Sequence, residues 1–242
     1  MKAELIPLRE GEPIVIDRDI TIIGHRALEQ PARRIREVTP ELRALVSDML
    51  DTCEAAAGAG LAAPQVGARW RVFVYRCPDV AGIMRRGHVL NPVLTRTGPL
   101  ELDEETLEGC LSVPGLGFPT ARRRGARVTG TDLDGRPVDI ADDGGVLARC
   151  LQHEVDHLDG RLYLERLAPA LRREALDAVR DRGWRRRGLT TWDPRRLAAE
   201  DACGVRTGPA VRPGLRPDAA HLTHRRGPAG RRASAPASSL GA

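Results

Sequence analysis

Apolar residues recur every three or four positions in three parts of the chain, a spacing that predicts helices with one apolar face. The first predicted helix starts at Thr39-Pro40-Glu41, which supplies an N-cap, a first-turn proline and an early acid. Its apolar face consists of Leu42, Leu45, Val46, Met49, Leu50 and Cys53. The second covers residues 146–158 with Gly160 as its C-terminal cap, and the third runs from about residue 168 to residue 182.

Short apolar runs between the first two helices predict strands. They cover residues 71–75, 88–94 and 126–131. Asp134-Gly135 is typical of a hairpin turn before a further strand at Val138-Asp139-Ile140. Strands joined by short turns and followed by a helix indicate an α+β fold.

Charge is distributed unevenly along the 242 residues, whose net charge is +5. From Gly183 onward there are 12 Arg and 4 acidic residues, a net +8, which leaves −3 for residues 1–182. The last stretch has frequent proline and glycine and no apolar periodicity. We therefore expect a folded domain over residues 1–182 and an Arg/Pro/Gly-rich, largely disordered tail over residues 183–242.

The remaining composition is that of an intracellular protein. Hydrophobic residues make up 41% of the chain, and no run approaches the roughly 20 apolar residues that cross a membrane. The first ten residues lack the apolar core of a secretory signal. Five cysteines is an odd number, which favours a reducing compartment over a disulfide framework. We expect a cytoplasmic protein.

The most informative chemical motif is an HExxH pentad, residues 153–157, inside the second predicted helix. On a helix, His153 and His157 project from one face and can bind one metal ion, and Glu154 is placed to act on a water molecule there. The alternative is a surface helix with two solvated histidines, which would not require the glutamate. The motif predicts a metal-dependent hydrolase.

A catalytic metal site of this kind needs a third protein ligand and an open position for water. The pattern HExxHxxGxxH is followed as far as Gly160, but Tyr163 stands where the third histidine is required. A downstream acid, Glu165 or Glu174, would instead give a gluzincin-type zinc metallopeptidase. This alternative stays open at this stage.

Cys110 is the favoured third ligand, because a thiolate binds iron or zinc strongly. Gly109 removes side-chain bulk beside it, and Pro114 with Gly115 is predicted to turn the chain just after it. A lone cysteine is otherwise a small buried hydrophobe. We accept that simpler interpretation for Cys53.

Three blocks of sequence resemble the signature blocks of the peptide deformylase family, in the family's order. They are Gly58-Ala-Gly-Leu-Ala-Ala-Pro-Gln65, Glu108-Gly-Cys-Leu-Ser112 and Gln152-His-Glu-Val-Asp-His157. The resemblance covers about residues 14–182. It implies mixed or antiparallel sheets wrapped around a central metal-binding HExxH helix, and an enzyme that removes the formyl group from the N-terminal formylmethionine of new bacterial proteins.

The resemblance also implies roles for individual residues. One metal ion per chain, usually Fe²⁺ with Zn²⁺, Ni²⁺ or Co²⁺ as alternatives, would be bound by Cys110, His153 and His157. Glu154 would be the general acid and base, and the Gln65 side chain and the Leu111 amide would hold the formyl oxygen. We also expect an ion pair between Glu108 and Arg122.

Five further residues are expected to contact the substrate. Gly60 would pair with the substrate backbone beside Ala59, where the family commonly has a larger aliphatic residue. Gly109 would lie next to the ligand thiol. Val146 and Cys150 precede His153 by seven and three positions, and we expect them to line a pocket for the methionine side chain.

The expected partners are N-formylmethionyl peptides and nascent chains, and no membrane. The ribosome is a further expected partner, and the arginines of the basic tail would then contact RNA phosphates. Biased codon usage is the simpler explanation of the arginines, since Lys2 is the only lysine of the chain. Besides the gluzincin, the alternatives are a formamide hydrolase with another substrate and a binding protein of the same fold.

Overall fold

Antiparallel strands and three helices make up most of the residues that the structure describes, which are 19–184 and 191–193 of a computed structural model. The helices are α1 (Pro40–Ala55), α2 (Val146–Leu158) and α3 (Pro169–Asp181). The strands are β1 (Ile20–Thr21), β2 (Gly60–Ala62), β3 (Val72–Pro78), β4 (Met84–Glu101), β5 (Leu107–Cys110), β6 (Val113–Pro119), β7 (Arg122–Thr131), β8 (Pro137–Asp143) and β9 (Thr191–Trp192). Three short 3-10 helices are Arg26–Leu28, Ala63–Val66 and Tyr163–Arg166.

The strands form three sheets. Five of them lie in the order β2-β3-β4-β7-β8, β5 pairs with β6, and β1 pairs with β9. Every one of these pairings is antiparallel. Mixed or antiparallel sheets were expected, and these strands form antiparallel sheets. The α+β class is confirmed.

Helix α2 is buried among the other elements. Its Leu147, Leu151, Val155 and Leu158 pack with buried residues of β3, β4 and β7 in one apolar cluster. A second cluster joins the β5–β6 hairpin to α3, and a third joins α1 to β2 and β3. The helix that carries the pentad is thus held by the five-stranded sheet.

The structure confirms the predicted helices and hairpin. Thr39 caps α1 by accepting a hydrogen bond from the Leu42 amide, and Gly135 adopts a positive φ between β7 and β8. The strand predicted at residues 88–94 is only the middle of β4, which has 18 residues. Its ends are mostly exposed, so they lack the alternation of apolar and polar residues by which a half-buried strand is recognised.

The turn predicted at Pro114 and Gly115 is wrong, because the segment around Cys110 forms a β-hairpin. Pro114 and Gly115 lie within β6 and do not turn the chain. The turn is formed by Leu111 and Ser112, since Cys110 pairs with Val113 across the hairpin. Strand β6 could not be recognised from β-propensity, because glycine and proline are rare in strands and make up much of its sequence.

The predicted tail begins at Gly183, and a few of its residues belong to the described part of the chain. Thr191 and Trp192 form β9 and pair with β1, so they lie on the same compact unit as the residues before 182. The other residues for which disorder and RNA contact were predicted lie outside the described ranges. Within those ranges, no helix has the length and apolar character needed to span a bilayer.

Asn91 gives a test of how the segment before α1 is attached to the sheet. Its φ is +50°, and its side-chain amide accepts a hydrogen bond from the Ile35 amide and donates one to the Ile35 carbonyl, both at 2.9 Å. We expect Asn91→Ala to lower the free energy of unfolding by about 2–3 kcal/mol, since two hydrogen bonds are lost and alanine tolerates positive φ poorly. Asn91→Asp keeps the acceptor for the Ile35 amide but places a carboxylate oxygen against the Ile35 carbonyl, so it should be destabilising as well. Urea denaturation measures both, and an unchanged Asn91→Ala midpoint would contradict this account.

Candidate metal centre

Helix α2 carries the two histidines of the pentad into the interior. Gly145 has no side chain to cap the helix, and Asp142 of β8 does so instead, accepting a hydrogen bond from the Ala148 amide at 3.0 Å. His153 and His157 follow one turn apart near the carboxyl end and are 9% and 1% exposed. Their rings meet edge to face with centroids 4.9 Å apart.

Cys110 meets these histidines from the end of β5. Its Sγ lies 3.2 Å from His157 Nε2. One donor atom from each of Cys110, His153 and His157 lies within 4.8 Å of the others, and this is the cluster of His, Cys, Asp and Glu found among the described residues with the spacing of a metal site. The structure therefore brings the three predicted ligands together. One thiolate and two imidazoles form a donor set that suits zinc or iron.

Glu108 orients one of the histidines. Its Oε1 lies 2.7 Å from His153 Nδ1, an arrangement that leaves Nε2 of the ring for an ion. Arg122 donates two hydrogen bonds to the same carboxylate, at 3.0 and 2.6 Å, so the predicted ion pair is confirmed. Burial alone would raise the pKa of Glu108, but the hydrogen bonds and charges of Arg122 and His153 hold that pKa well below its usual value. Glu108 therefore stays ionised at neutral pH and can only accept hydrogen bonds.

A second carboxylate balances the buried arginine. Asp156, inside the pentad, accepts a hydrogen bond from Arg122 and is also paired with Arg166 and Arg96 at 2.6 and 3.1 Å. Asp156 and Arg122 are 1% and 3% exposed. Buried charges are tolerated only where they are paired and hydrogen-bonded, as these are.

Glu154 lies beside the ligands and is 3% exposed. Burial raises its pKa to about 7, although the charge of His153 opposes the shift. Its Oε2 is buried and has no hydrogen-bond partner among the described residues. A Cβ at Gly60 would come within 2.6 Å of Glu154 Oε1, so only glycine leaves room for the carboxylate. A carboxyl group with a pKa near neutrality can both accept and donate a proton.

The Gln65 side chain points its amide group at the cluster. Its Oε1 accepts a hydrogen bond from the Ala62 amide at 2.7 Å, which turns Nε2 towards Cys110 Sγ, 3.8 Å away. Leu111 follows Cys110 directly in the β5–β6 turn. Both proposed donors to the formyl oxygen thus lie next to the thiol.

The five predicted substrate contacts are distributed around this centre. Gly60 is buried beside Glu154, and Ala59 before it is exposed while its carbonyl accepts a hydrogen bond from Cys150 Sγ at 3.4 Å. Gly109 is exposed next to Cys110 and pairs with Gly117. Val146, one turn before Cys150, is 48% exposed. Their roles in binding substrate stay predictions.

The acids required by the gluzincin alternative lie elsewhere. Glu165 accepts a hydrogen bond from the Leu162 amide at 3.2 Å, and Glu174 is exposed on α3. Neither belongs to the cluster of potential ligands in the described part of the chain. The position of Cys110 argues against a downstream acid as the third ligand.

Sequence reasoning missed two contributors to the site. Asp156 had a detectable signal, because an acid inside a helix that is expected to be buried requires a cationic partner. Trp192 had almost none. It lies in the stretch whose composition predicts a tail, yet its indole Nε1 donates a hydrogen bond to the Leu111 carbonyl at 2.7 Å.

Comparison with known proteins gives one consistent result. The family model described as polypeptide deformylase matches residues 17–173. Peptide deformylase 2 of Corynebacterium efficiens is 46% identical over 182 residues, which cover 73% of this chain and 93% of that protein. A peptide deformylase of Mycobacterium sp. strain JLS is 50% identical over 161 residues, covering 64% and 80% of the two chains.

Solved structures agree with the sequence comparison. The peptide deformylase of Synechococcus elongatus in complex with actinonin superposes with a TM-score of 0.60 at 37% identity, covering 74% of this chain and 94% of that one. The peptide deformylase of Thermus thermophilus has the same TM-score and identity, with 68% and 94% covered. On this evidence, the chain belongs to the peptide deformylase family.

Proposed function

We propose that this chain is a metal-dependent hydrolase that removes the formyl group from the N-terminal formylmethionine of newly synthesised proteins. The observation that carries the proposal is the convergence of Cys110, His153 and His157 within 4.8 Å beside the buried carboxyl group of Glu154. The names of the relatives, all peptide deformylases, support the choice of substrate. Such an activity would act in the cytoplasm, where formylated chains are made.

Cys110, His153 and His157 would hold one ion per chain. The thiolate and imidazole donors fit this role. The buried Glu154 Oε2 beside them has no hydrogen-bond partner among the described residues, which leaves it available to act on a water molecule. We infer Fe²⁺, with Zn²⁺, Ni²⁺ and Co²⁺ as ions that the same donors can bind. When bound, the ion polarises the formyl carbonyl and makes water acidic enough to attack near neutral pH.

Glu154 would act first as a base and then as an acid. In its ionised form it accepts a proton from the attacking water, and it then passes that proton to the departing amine. Its pKa of about 7 suits both steps, because neither form is strongly disfavoured at neutral pH. Its burial keeps the exchanged proton from bulk water.

Gln65 and Leu111 would stabilise the negative charge that develops on the formyl oxygen. The Ala62 amide holds the Gln65 side chain through Oε1 and thereby orients Nε2, so little reorganisation is needed during the reaction. The Leu111 N–H is fixed by the tight turn after Cys110. A thiolate donates more charge to the ion than a third imidazole would, which makes these two donors more important.

Strand β2 offers an edge for the substrate. In the described part of the chain it lies at the end of the five-stranded sheet and pairs only with β3. An extended peptide can add to such an edge through main-chain hydrogen bonds. We infer that Gly60 pairs with the substrate there, with Ala59 and Gly109 beside it, and that Cys150 and Val146 border the methionine side chain.

Nascent chains would be the physiological partners, and the ribosome a further candidate. RNA contact would fall on the basic tail, most of which lies outside the described residues. Co-sedimentation of the full chain with ribosomes across salt concentrations addresses that point, because binding through phosphates weakens steeply with salt.

Replacing the cysteine tests the ligand set. We expect Cys110→Ala to lose most of its bound metal and its turnover, because two histidines alone do not complete a catalytic site. Cys53→Ala is the matched control, since Cys53 is likewise buried but contacts the Gly58 carbonyl at 3.3 Å. Metal analysis of both variants decides, and a Cys110→Ala protein with full metal and activity would favour the gluzincin.

The function itself is tested with a chain purified without oxygen. We expect rapid turnover of formyl-Met-Ala-Ser, slower turnover of the formyl-Leu analogue and none of the acetyl-Met analogue. Exposure to air should abolish activity if the ion is Fe²⁺, because the ferrous site or its thiolate oxidises. Equal turnover of all three peptides would refute the proposed specificity.

Glu154→Gln should retain the metal and lose nearly all turnover. The amide fills the same space beside Gly60 but cannot accept the proton of water. Metal analysis and turnover are measured on the same sample. Loss of the metal together with activity would assign Glu154 a structural role.

Gln65→Leu should lower kcat by about a hundredfold, the usual consequence of removing one oxyanion donor. Steady-state kinetics with formyl-Met-Ala-Ser measures the change, and Gln30→Leu, at a partly exposed glutamine, is the control. A decrease below about threefold would exclude Gln65 from transition-state stabilisation.

A further inference from the structure

The small sheet of β1 and β9 lies against the turn that follows Cys110. Trp192 of β9 donates its indole N–H to the Leu111 carbonyl at 2.7 Å. The Ile23 amide, just after β1, donates to the Ser112 carbonyl at 2.9 Å. Both carbonyl groups of the turn are thus held from this sheet.

The peptide group between Leu111 and Ser112 is engaged on both edges. Its carbonyl accepts the hydrogen bond from Trp192, and its N–H, on Ser112, donates to Cys110 Sγ at 3.4 Å. In a trans peptide these two bonds point in opposite directions. A donor that fixes the carbonyl therefore also aims the N–H at the sulfur.

We propose that Trp192 is a positioning residue of the metal centre, which fixes and polarises the Leu111–Ser112 peptide so that the Ser112 N–H hydrogen-bonds the Cys110 thiolate. The inference rests on the proposed role of Cys110 as a metal ligand. It assigns a part in the reaction to a residue beyond position 173, where the match to the family model ends.

The hydrogen bond to sulfur has a chemical consequence. An N–H donor withdraws charge from a thiolate, which reduces the charge that the sulfur donates to an ion and leaves the ion a stronger Lewis acid. A hydrogen bond to the carbonyl of the same peptide strengthens its N–H as a donor. Trp192 would thereby offset part of the loss of Lewis acidity that a thiolate ligand causes.

The sheet of β1 and β9 also contacts the segment that carries Gln65, the other proposed donor to the formyl oxygen. Thr21 of β1 donates its hydroxyl hydrogen bond to the Pro64 carbonyl at 3.0 Å, next to Gln65. β9 is attached to β1 by its ladder and by a hydrogen bond from Thr191 Oγ1 to Asp19 Oδ2 at 3.0 Å. Trp192 is therefore anchored on a strand that itself contacts the Gln65 helix.

The test uses the full chain loaded with Co²⁺, whose thiolate-to-cobalt charge-transfer band reports the electron density on the Cys110 sulfur. Trp192→Phe removes the indole donor and keeps an aromatic ring. We expect its band to move to longer wavelength, because a sulfur that accepts a weaker hydrogen bond from Ser112 is more electron-rich. We also expect kcat to fall by about tenfold with little change in KM, the lower end of the effect of outer partners of metal ligands.

Trp184→Phe is the matched control. The same indole N–H is removed, but that of Trp184 is buried without a hydrogen-bond partner among the described residues. Its band and kcat should stay at the wild-type values. Thermal unfolding of both variants in the metal-free form verifies that each is folded.

Three results would overturn the inference. A Trp192→Phe band at the wild-type position does so even if kcat falls, because the residue would then act through packing alone. So does an equal band shift in Trp184→Phe. A wild-type protein without any thiolate band would remove Cys110 as a ligand and defeat the inference together with the proposed site. Inactivity on formyl peptides with the predicted band shift would instead refute only the proposed function.

If Trp192→Phe does not fold, an isosteric replacement keeps the inference testable. Growth with 3-benzothienylalanine in a Trp70→Phe, Trp184→Phe background replaces only the indole N–H of the remaining tryptophan by sulfur. The same shift to longer wavelength is expected, and an unchanged band overturns the proposal.

Discussion

The approach of the Cys110 sulfur to the imidazoles of His153 and His157 is the constraint on which the rest of the structure depends. The sulfur lies 3.2 Å from His157 Nε2, although the two residues are 47 positions apart. No local interaction can bring them together, so the β5–β6 hairpin and α2 must both be fixed by tertiary packing. The five-stranded sheet provides this for α2, and α3 provides it for the hairpin. The fold can thus be understood as two supports for one cluster of donor atoms.

The same cluster requires buried charge, and the protein tolerates it by pairing. Glu108 fixes the orientation of His153, Arg122 keeps Glu108 ionised, and Asp156 balances Arg122. Replacing one member would leave the others buried and uncompensated, which costs more than the pairing contributes. The network therefore contributes orientation more than stability. That orientation matters because a histidine with its Nδ1 engaged presents only Nε2 to an ion.

Much of this arrangement could be predicted from the sequence, and the exceptions have physical reasons. Helices α1 and α2 and the hairpin at Gly135 follow from apolar spacing and turn chemistry, which are local properties. The convergence of Cys110, His153 and His157, with Glu154 beside them, follows from sequence motifs that the family resemblance relates to one site. The ends of β4 and the β5–β6 hairpin do not, because exposed strands and strands rich in glycine lack alternation. Their pairing partners, not their own residues, determine their conformation.

Trp192 illustrates the limit of composition as a guide to the extent of a functional unit. The charge and the proline and glycine content of residues 183–242 predict a tail. The hydrogen bond of Trp192 depends on where that one residue lies, however. A strand of two residues is too short to change the average composition of residues 183–242. Paired with β1, that strand places one indole N–H on the carbonyl of the peptide whose other edge faces the Cys110 sulfur. The catalytic unit should therefore be delimited by the hydrogen bonds that reach the site, and these extend past the residues that carry the family's motifs.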